Sequence, residues 1–321
     1  KQITGEYIMF KKISATFVAL LVSGSISFSA EFINILTGGT SGVYYPLGVG
    51  LSKIYGEKIK GSKVQVQSTK ASVENLNLIQ AGKGEIAFVL GDSVKYGWEG
   101  NAEAGFKSKL NNLRGIAGIY PNYVHIVASK SSNIKSIADL KGKRVSVGAP
   151  KSGTELQARA ILKAAGMSYG DLGKVEYLPF GQSVELIKNR QIDATVQSAG
   201  LGVASIKDLA NSVEIVIVEI PESLIAKLGA PYVSATIPAG TYKGVDKNVK
   251  SAGIVNFLIT GKKVSNETAY QMTKNIFENL PDLVATHAAA KNINIKTALT
   301  GMPVPLHPGA KKYYQEKGLV K

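Results

Sequence analysis

Cysteine is absent from the 321 residues. That removes disulfides, thiolate metal sites and a cysteine nucleophile at once, along with the lipoprotein anchor that needs a cysteine at the mature N-terminus. Arginine is scarce, confined to Arg114, Arg144, Arg159 and Arg190, so the usual reader of bases and phosphates is thinly supplied. His125, His287 and His307 lie far apart in sequence, and with no cysteine they argue against a zinc site. The chain has no Gly-x-Ser-x-Gly elbow and no Gly-x-x-x-x-Gly-Lys-Ser/Thr phosphate loop. Beyond the N-terminal region, long apolar runs are missing too. The best, Val213 to Ile220, is far shorter than a membrane span and contains Glu214 and Glu219.

The chain does have an excess of positive charge, formally +15, and a pI near 9.6. The lysines are spread along the whole sequence, with no basic block and no interleaved aromatic stripe. This pattern argues against nucleic acid as a partner and suits solubility and attraction of small anions. At the N-terminus, Met9-Phe10-Lys11-Lys12 precedes an apolar run from Ile13 to Phe28. A short positive region, an apolar stretch of this length and small residues at its end predict a secretory signal peptide. Cleavage after Ser29 puts serine at both −3 and −1 and is favoured over cleavage after Ala30. The run is too short and too rich in Ser and Gly for a membrane anchor. The eight residues ahead of Met9 are set aside, and residues 1–30 are expected to be lead and signal peptide.

Beyond residue 30 the sequence repeats one grammar: a short β-rich run, a Gly or Ser turn, then a helical stretch. Phe32–Leu36, Val64–Ser68 and Ile86–Leu90 read as strands, with helices after the first two. Leu113–Ile119 and Val124–Ser129 read as two strands around Pro121. The alternation restarts at Ser136 and runs through strands at Arg144–Gly148, Val175–Leu178, Ala194–Gln197 and Glu214–Val218. From about Pro238 the chain reads as helical, with stretches at Asn266–Asn279 and Pro308–Lys317. This is the pattern of open α/β sheets.

Three loops share one chemistry. Thr37-Gly-Gly-Thr-Ser-Gly-Val-Tyr-Tyr-Pro46, Thr69-Lys-Ala-Ser-Val-Glu-Asn75 and Gly148-Ala-Pro-Lys-Ser-Gly-Thr154 each place Gly and hydroxyl residues between a strand and a helix start. Glycine lets backbone approach a ligand, and the free N–H groups of a helix N-terminus suit a carboxylate or phosphate. One such loop is an ordinary capping sequence. Three of them at strand C-terminal ends point to a ligand site, because open α/β sheets bind there.

The first of these loops, with its flanks, reads Ile35-Leu-Thr-Gly-Gly-Thr-Ser-Gly-Val-Tyr-Tyr-Pro-Leu-Gly48. It resembles the opening motif of the TAXI group of TRAP-transporter solute-binding proteins. Thr69–Asn75, Ile137-Ala-Asp-Leu-Lys-Gly-Lys-Arg-Val-Ser-Val-Gly148, Ser152-Gly-Thr154 and Gln191-Ile-Asp-Ala194 follow in that family's order. The resemblance implies a non-enzymatic periplasmic receptor with a two-lobed, type II-like α/β fold, two open sheets joined by a strand hinge. Lobe one would comprise 31–124 and 238–321, lobe two 125–237, with the hinge near Val124–Ala128 and Ser234–Ile237. It also implies a small carboxylate ligand of the glutamate, glutamine or 2-oxoglutarate class, TRAP membrane subunits as partners, no cofactor and a monomer. The ligand contacts carried over are Gly42, Tyr44 and Tyr45, then Thr69 and Ser72, then Ser152, Gly153 and Thr154. Gln182, Gln197 and Ser198 come from the later strand–helix turns. The late loop Ser198-Ala-Gly-Leu-Gly202 departs from the expected Gly-Pro or Gly-Tyr-Pro, which leaves fine ligand choice open.

Two rival readings accompany this one: a two-lobed receptor for an ABC transporter or sensor kinase, and a hydrolase or transferase using Ser41 or Ser152 as nucleophile. The second lacks a visible base. His125 either packs within a strand or reaches the cleft, and Asp92 is expected to act as a helix cap rather than to line the cleft. Asp193 is expected to fix a turn, and Trp98 to pack in its lobe or at the rim.

Overall fold

The computed structural model describes residues 31–321; the expected signal peptide lies outside them. The first unit alternates β1 (Phe32–Leu36), α1 (Tyr44–Lys58), β2 (Lys63–Gln67), α2 (Ser72–Gln80), β3 (Ile86–Leu90) and α3 (Gly91–Glu99), and then enters β4 (Leu113–Ser129). The second carries β5 (Arg144–Ser146), α4 (Gly153–Ala164), β6 (Lys174–Glu176), α5 (Phe180–Lys188), β7 (Ala194–Ala199), α6 (Ala204–Ser212), β8 (Ile215–Val218), α7 (Glu222–Leu228) and β9 (Val233–Ile237). The chain then returns through β10 (Val249–Gly261) to the first unit and finishes with α8 (Asn266–Glu278), α9 (Leu280–Thr286) and α10 (Pro308–Glu316). Among the described residues no helix is long and apolar enough to cross a membrane.

The strands hydrogen-bond in the order β2-β1-β3-β10-β4-β7-β5-β6, with β8 on β4 and β9 on β10. Within the first unit β1 is parallel to β2 and β3, and within the second β5 is parallel to β6 and β7. β3 is buried at every position, as a parallel strand covered on both faces must be. β2, with the sequence KVQVQ, alternates exposed and half-buried residues at the sheet edge. The helix α1 lies close over β1 because Gly48 has no side chain; a Cβ there would sit 2.5 Å from Thr37 Cγ2.

β4 and β10 are the strands common to both units. The first half of β4 pairs with β10, and its second half, from Tyr123 onward, pairs with β7 and β8. The two strands read on either side of Pro121 are therefore one. β10, not anticipated from sequence, is the second crossing strand, where the expectation had been Ser234–Ile237. That segment is β9, whose five residues pair with the first five of β10. The two expected open sheets are thus joined edge to edge through a shared antiparallel pair.

Below the cavity described next, Asn75 of α2 ties the strand ends together. Its Nδ2 donates to the carbonyls of Thr37 (2.7 Å) and Phe88 (2.9 Å), and the Thr69 hydroxyl lies 2.7 Å from its Oδ1. Asn75 is fully buried, so replacing it removes the Phe88 carbonyl's side-chain donor and leaves the Thr37 carbonyl with the Thr69 hydroxyl (2.8 Å). Asn75→Ala is expected to cost about 1–3 kcal/mol in urea unfolding. A loss below about 0.5 kcal/mol, typical of a neutral surface change, would show that these bonds do not hold the loops.

Candidate functional site

A cavity of about 90 Å³ lies where the C-terminal strand ends of the two units face each other. Gly38, Gly39, Gly42, Val43 and Tyr44 line it from the β1–α1 turn, Thr69 to Ser72 from the β2–α2 turn, and Leu90 from the end of β3. The second unit contributes Ala149 and Ser152–Thr154, Pro179 and Phe180, and Ser198 and Ala199. Tyr120 and Asn122 of β4 complete the lining.

Four helices begin at this cavity: α1, α2, α4 and α5 start at Tyr44, Ser72, Gly153 and Phe180, all lining residues. The starts of α1, α2 and α5 have no side-chain cap, whereas Ser152 caps α4 by accepting the Glu155 N–H at 3.1 Å. Each N-terminus carries orphan N–H donors and a partial positive charge. Among the described residues no acidic side chain lines the cavity, and Lys70, exposed, is the single charged residue that does. The site is therefore positive without a buried cation.

Of the residues expected at the site, Gly42, Tyr44, Thr69, Ser72, Ser152, Gly153, Thr154 and Ser198 line the cavity; Tyr45, Gln182 and Gln197 do not. Strand alternation separates Gln197 from Ser198, since neighbours on β7 point to opposite faces. Gln197 instead accepts from Ser205 Oγ at 2.7 Å. Several of the expected hydroxyls are engaged within the protein. Thr69 Oγ1 accepts the Ala71 N–H at 2.9 Å, and Ser72 Oγ accepts the Leu90 N–H at 3.1 Å rather than capping its own helix. The Tyr44 ring stacks on Phe88, and its phenol donates to Asn256 Oδ1 at 2.5 Å.

The residues missed from sequence are those of the floor. Asn256 of β10 donates to the Tyr120 carbonyl (2.8 Å) and to Asn122 Oδ1 (2.7 Å), and Asn122 donates to the Ser198 carbonyl (2.8 Å). This relay fixes Tyr120 and Ser198 by their backbones. The Tyr120 OH and Ser198 Oγ are themselves buried and have no partner among the described residues. Phe180 and Pro179 add an apolar wall. No motif marks Tyr120, Asn122, Asn256, Pro179 or Phe180.

His125 packs within its strand. It is fully buried, its Nδ1 lies 3.3 Å from the Gln197 carbonyl, and its Nε2 lies 3.0 Å from the Tyr242 OH. Burial lowers its pKa to about 4, partly offset by backbone hydrogen bonds. Among the described residues no histidine lines the cavity. Asp193 receives Arg144 through two side-chain bonds and one backbone bond, as a turn-fixing residue should. Arg159 pairs with Glu155 and stays off the cavity. Trp98 packs against the first unit's core. Among the described residues no cluster of three or more His, Cys, Asp or Glu could hold a metal.

Asp92 joins the two units. It starts α3 on the first unit, and its carboxylate accepts from Gln157 Nε2 of α4 (3.0 Å), from the Tyr232 OH ahead of β9 (2.6 Å) and from the Ser93 N–H (2.6 Å). Nearby, the Glu74 N–H donates to the Lys151 carbonyl at 3.1 Å. Gly153 is pressed so closely that a Cβ would lie 2.5 Å from Leu90 Cδ1 and 2.9 Å from the Ser72 and Ser93 hydroxyls.

Residues 35–318 match the sequence model of the NMT1-like family, and the chain belongs to that family. Among solved structures, PhnD1 from Prochlorococcus marinus in complex with methylphosphonate aligns with a TM-score of 0.59 at 11% identity, covering 91% of this chain and 100% of that one. The periplasmic binding protein BugD aligns at 0.57 and 11% identity, covering 91% and 95%. A putative L-cystine ABC transporter protein from Listeria monocytogenes aligns at 0.51 and 14% identity, covering 82% and 98%. Likeness at these identities establishes the fold: the two-lobed periplasmic binding protein fold, as read from the sequence.

Two outcomes follow from the contact between the units. Gly153→Ala is expected to keep the fold but to weaken solute binding at least about tenfold, because its methyl holds the units apart. Titration calorimetry checks this, and unchanged affinity refutes it. Burial raises the Asp92 pKa, partly offset by its donors. A raised carboxylate pKa means that the folded state holds the proton more tightly than the unfolded state. The stability this provides is present at low pH and is lost as pH rises through the folded-state value. The stability of Asp92→Asn relative to the parent should therefore rise from pH 4 to pH 7 in urea unfolding (values in the range set by ordinary carboxylates), and a flat difference would contradict the assignment.

Proposed function

We propose that this NMT1-like chain is the solute-binding receptor of a membrane transporter and takes a small organic anion into the cavity between its two lobes. The observation that carries the reading is the convergence of four helix N-termini on a cavity without an acidic side chain. Anions are held well by such backbone donors. Closure of one lobe on the other is the device that completes the site, with lobe one as 31–124 and 238–321 and lobe two as 125–237. A receptor of this kind works outside the inner membrane, in keeping with the signal peptide expected at residues 1–30.

An ABC transporter is the partner the comparisons support better. The solved neighbours include an ABC transporter protein and a phosphonate-bound protein of the same fold. The TRAP subunits and the glutamate class implied by the TAXI resemblance have no such support. BugD is named a periplasmic binding protein and PhnD1 is in complex with methylphosphonate, which agrees with a non-enzymatic role.

A thermal-shift screen tests the reading. Short carboxylates, sulfonates and phosphonates should raise the melting temperature by linkage, with the solute recovered unchanged, whereas neutral sugars and amines should not. Stabilisation by neutral or cationic solutes alone would overturn it. Uptake reconstituted with the membrane partner separates the transporter classes: dependence on ATP supports the ABC assignment, and dependence on a sodium gradient supports TRAP.

A further inference from the structure

We infer that the solute carries one anionic group, one uncharged hydrogen-bonding substituent such as a keto or hydroxyl oxygen, and no ammonium group, and that Tyr120 and Ser198 read the uncharged substituent. The inference rests on the receptor reading above and narrows its ligand.

The case against an ammonium group is electrostatic. A buried ammonium needs a carboxylate or a full set of acceptors. The cavity lining contains no Asp or Glu among the described residues. The buried carboxylates beside it are outside the lining and already engaged: Asp92 accepts from Gln157, Tyr232 and Ser93, and Glu155 pairs with Arg159. The amide of Asn122 is spent as well, its Oδ1 on Asn256 and its Nδ2 on the Ser198 carbonyl. The fixed charge and dipoles at the lining, four helix N-termini and the exposed Lys70, all repel a cation, and two hydroxyls cannot balance an ammonium's full charge. An amino acid would bring its ammonium into that field unpaired.

The case for a second, uncharged substituent comes from the floor. Tyr120 is fully buried and Ser198 is 6% exposed. Both line the cavity, and both hydroxyls lack a partner among the described residues. Most buried polar side chains are satisfied, so two unspent hydroxyls at one cavity mark where a ligand oxygen sits. Burial raises the Tyr120 pKa, so the phenol stays protonated and able to donate. The Asn256–Asn122 relay holds the backbone of both residues and leaves their side chains free. Val43, Leu90 and Phe180 supply apolar surface for the carbon chain between the two ends.

Four isosteric probes test this by titration calorimetry: α-ketovalerate, α-hydroxyvalerate, valerate and norvaline. The keto or hydroxy acid should bind tightest, valerate about tenfold more weakly for the missing oxygen, and norvaline at least about a hundredfold more weakly for its unpaired ammonium. Tyr120→Phe or Ser198→Ala should bring the keto and hydroxy acids down to the level of valerate while leaving valerate itself unchanged. The unchanged valerate affinity also reports that the variants are folded. Norvaline binding as tightly as the keto acid, or equal losses for keto acid and valerate in the variants, overturns the inference and leaves the receptor standing. Binding by none of the four overturns the inference, and the receptor reading falls with it only if the sulfonates and phosphonates of the thermal-shift screen fail as well.

Discussion

The structure depends on how two long strands, β4 and β10, pass through both lobes while remaining bonded to each other. At Asn256 the pairing slips: the register of β10 on β4 shifts between Val255 and Phe257. A bulge leaves backbone groups without ladder partners, and a buried carbonyl cannot stay unpaired cheaply. Beside the slip, the Asn256 side chain donates to the Tyr120 carbonyl. The same amide reaches Asn122 and receives the Tyr44 phenol. One side chain on the returning strand thus joins α1, β4 and, through Asn122, the end of β7. The floor of the cavity is set by the strand crossing rather than by any loop, and both lobes share it.

This explains what the sequence showed and what it hid. The alternation of strands and helices was readable because burial imposes its period on the sequence. The three loops were readable because a backbone that turns sharply into a helix needs Gly, Ser or Thr. The part each residue plays in those loops was harder to read. Thr69 and Ser72 sit at the cavity as expected, but their hydroxyls serve Ala71 and Leu90. Tyr120, Asn122 and Asn256 carry no local signal at all. Asn256 meets Tyr120 and Asn122 across more than a hundred residues and Asn122 meets Ser198 across 76, and a polar residue inside a strand gives no hint of what the pairing will bring opposite it. β10 was missed for a related reason: its run Ala252-Gly-Ile-Val-Asn-Phe-Leu-Ile259 is apolar on both faces, and a short apolar run does not by itself distinguish strand from helix.

The electrostatic design has a consequence for a receptor that must open as well as close. A site that relied on a buried arginine would leave that charge facing its pocket whenever the solute left, and an unpaired charge in a half-closed cleft is costly. Helix N-termini avoid this. Their N–H groups are solvated by water when the lobes part, and no formal charge is stranded. The attraction for an anion strengthens as closure excludes water and lowers the local dielectric. The excess of lysine then acts at longer range: the formal +15 of the chain raises the concentration of anions near the surface without entering the site, and Lys70 at the lining stays exposed. On the proposed reading, the scarcity of arginine is part of the mechanism: steering would be left to solvated lysines and binding to backbone dipoles, and discrimination between one anion and another would fall to the two hydroxyls on the floor.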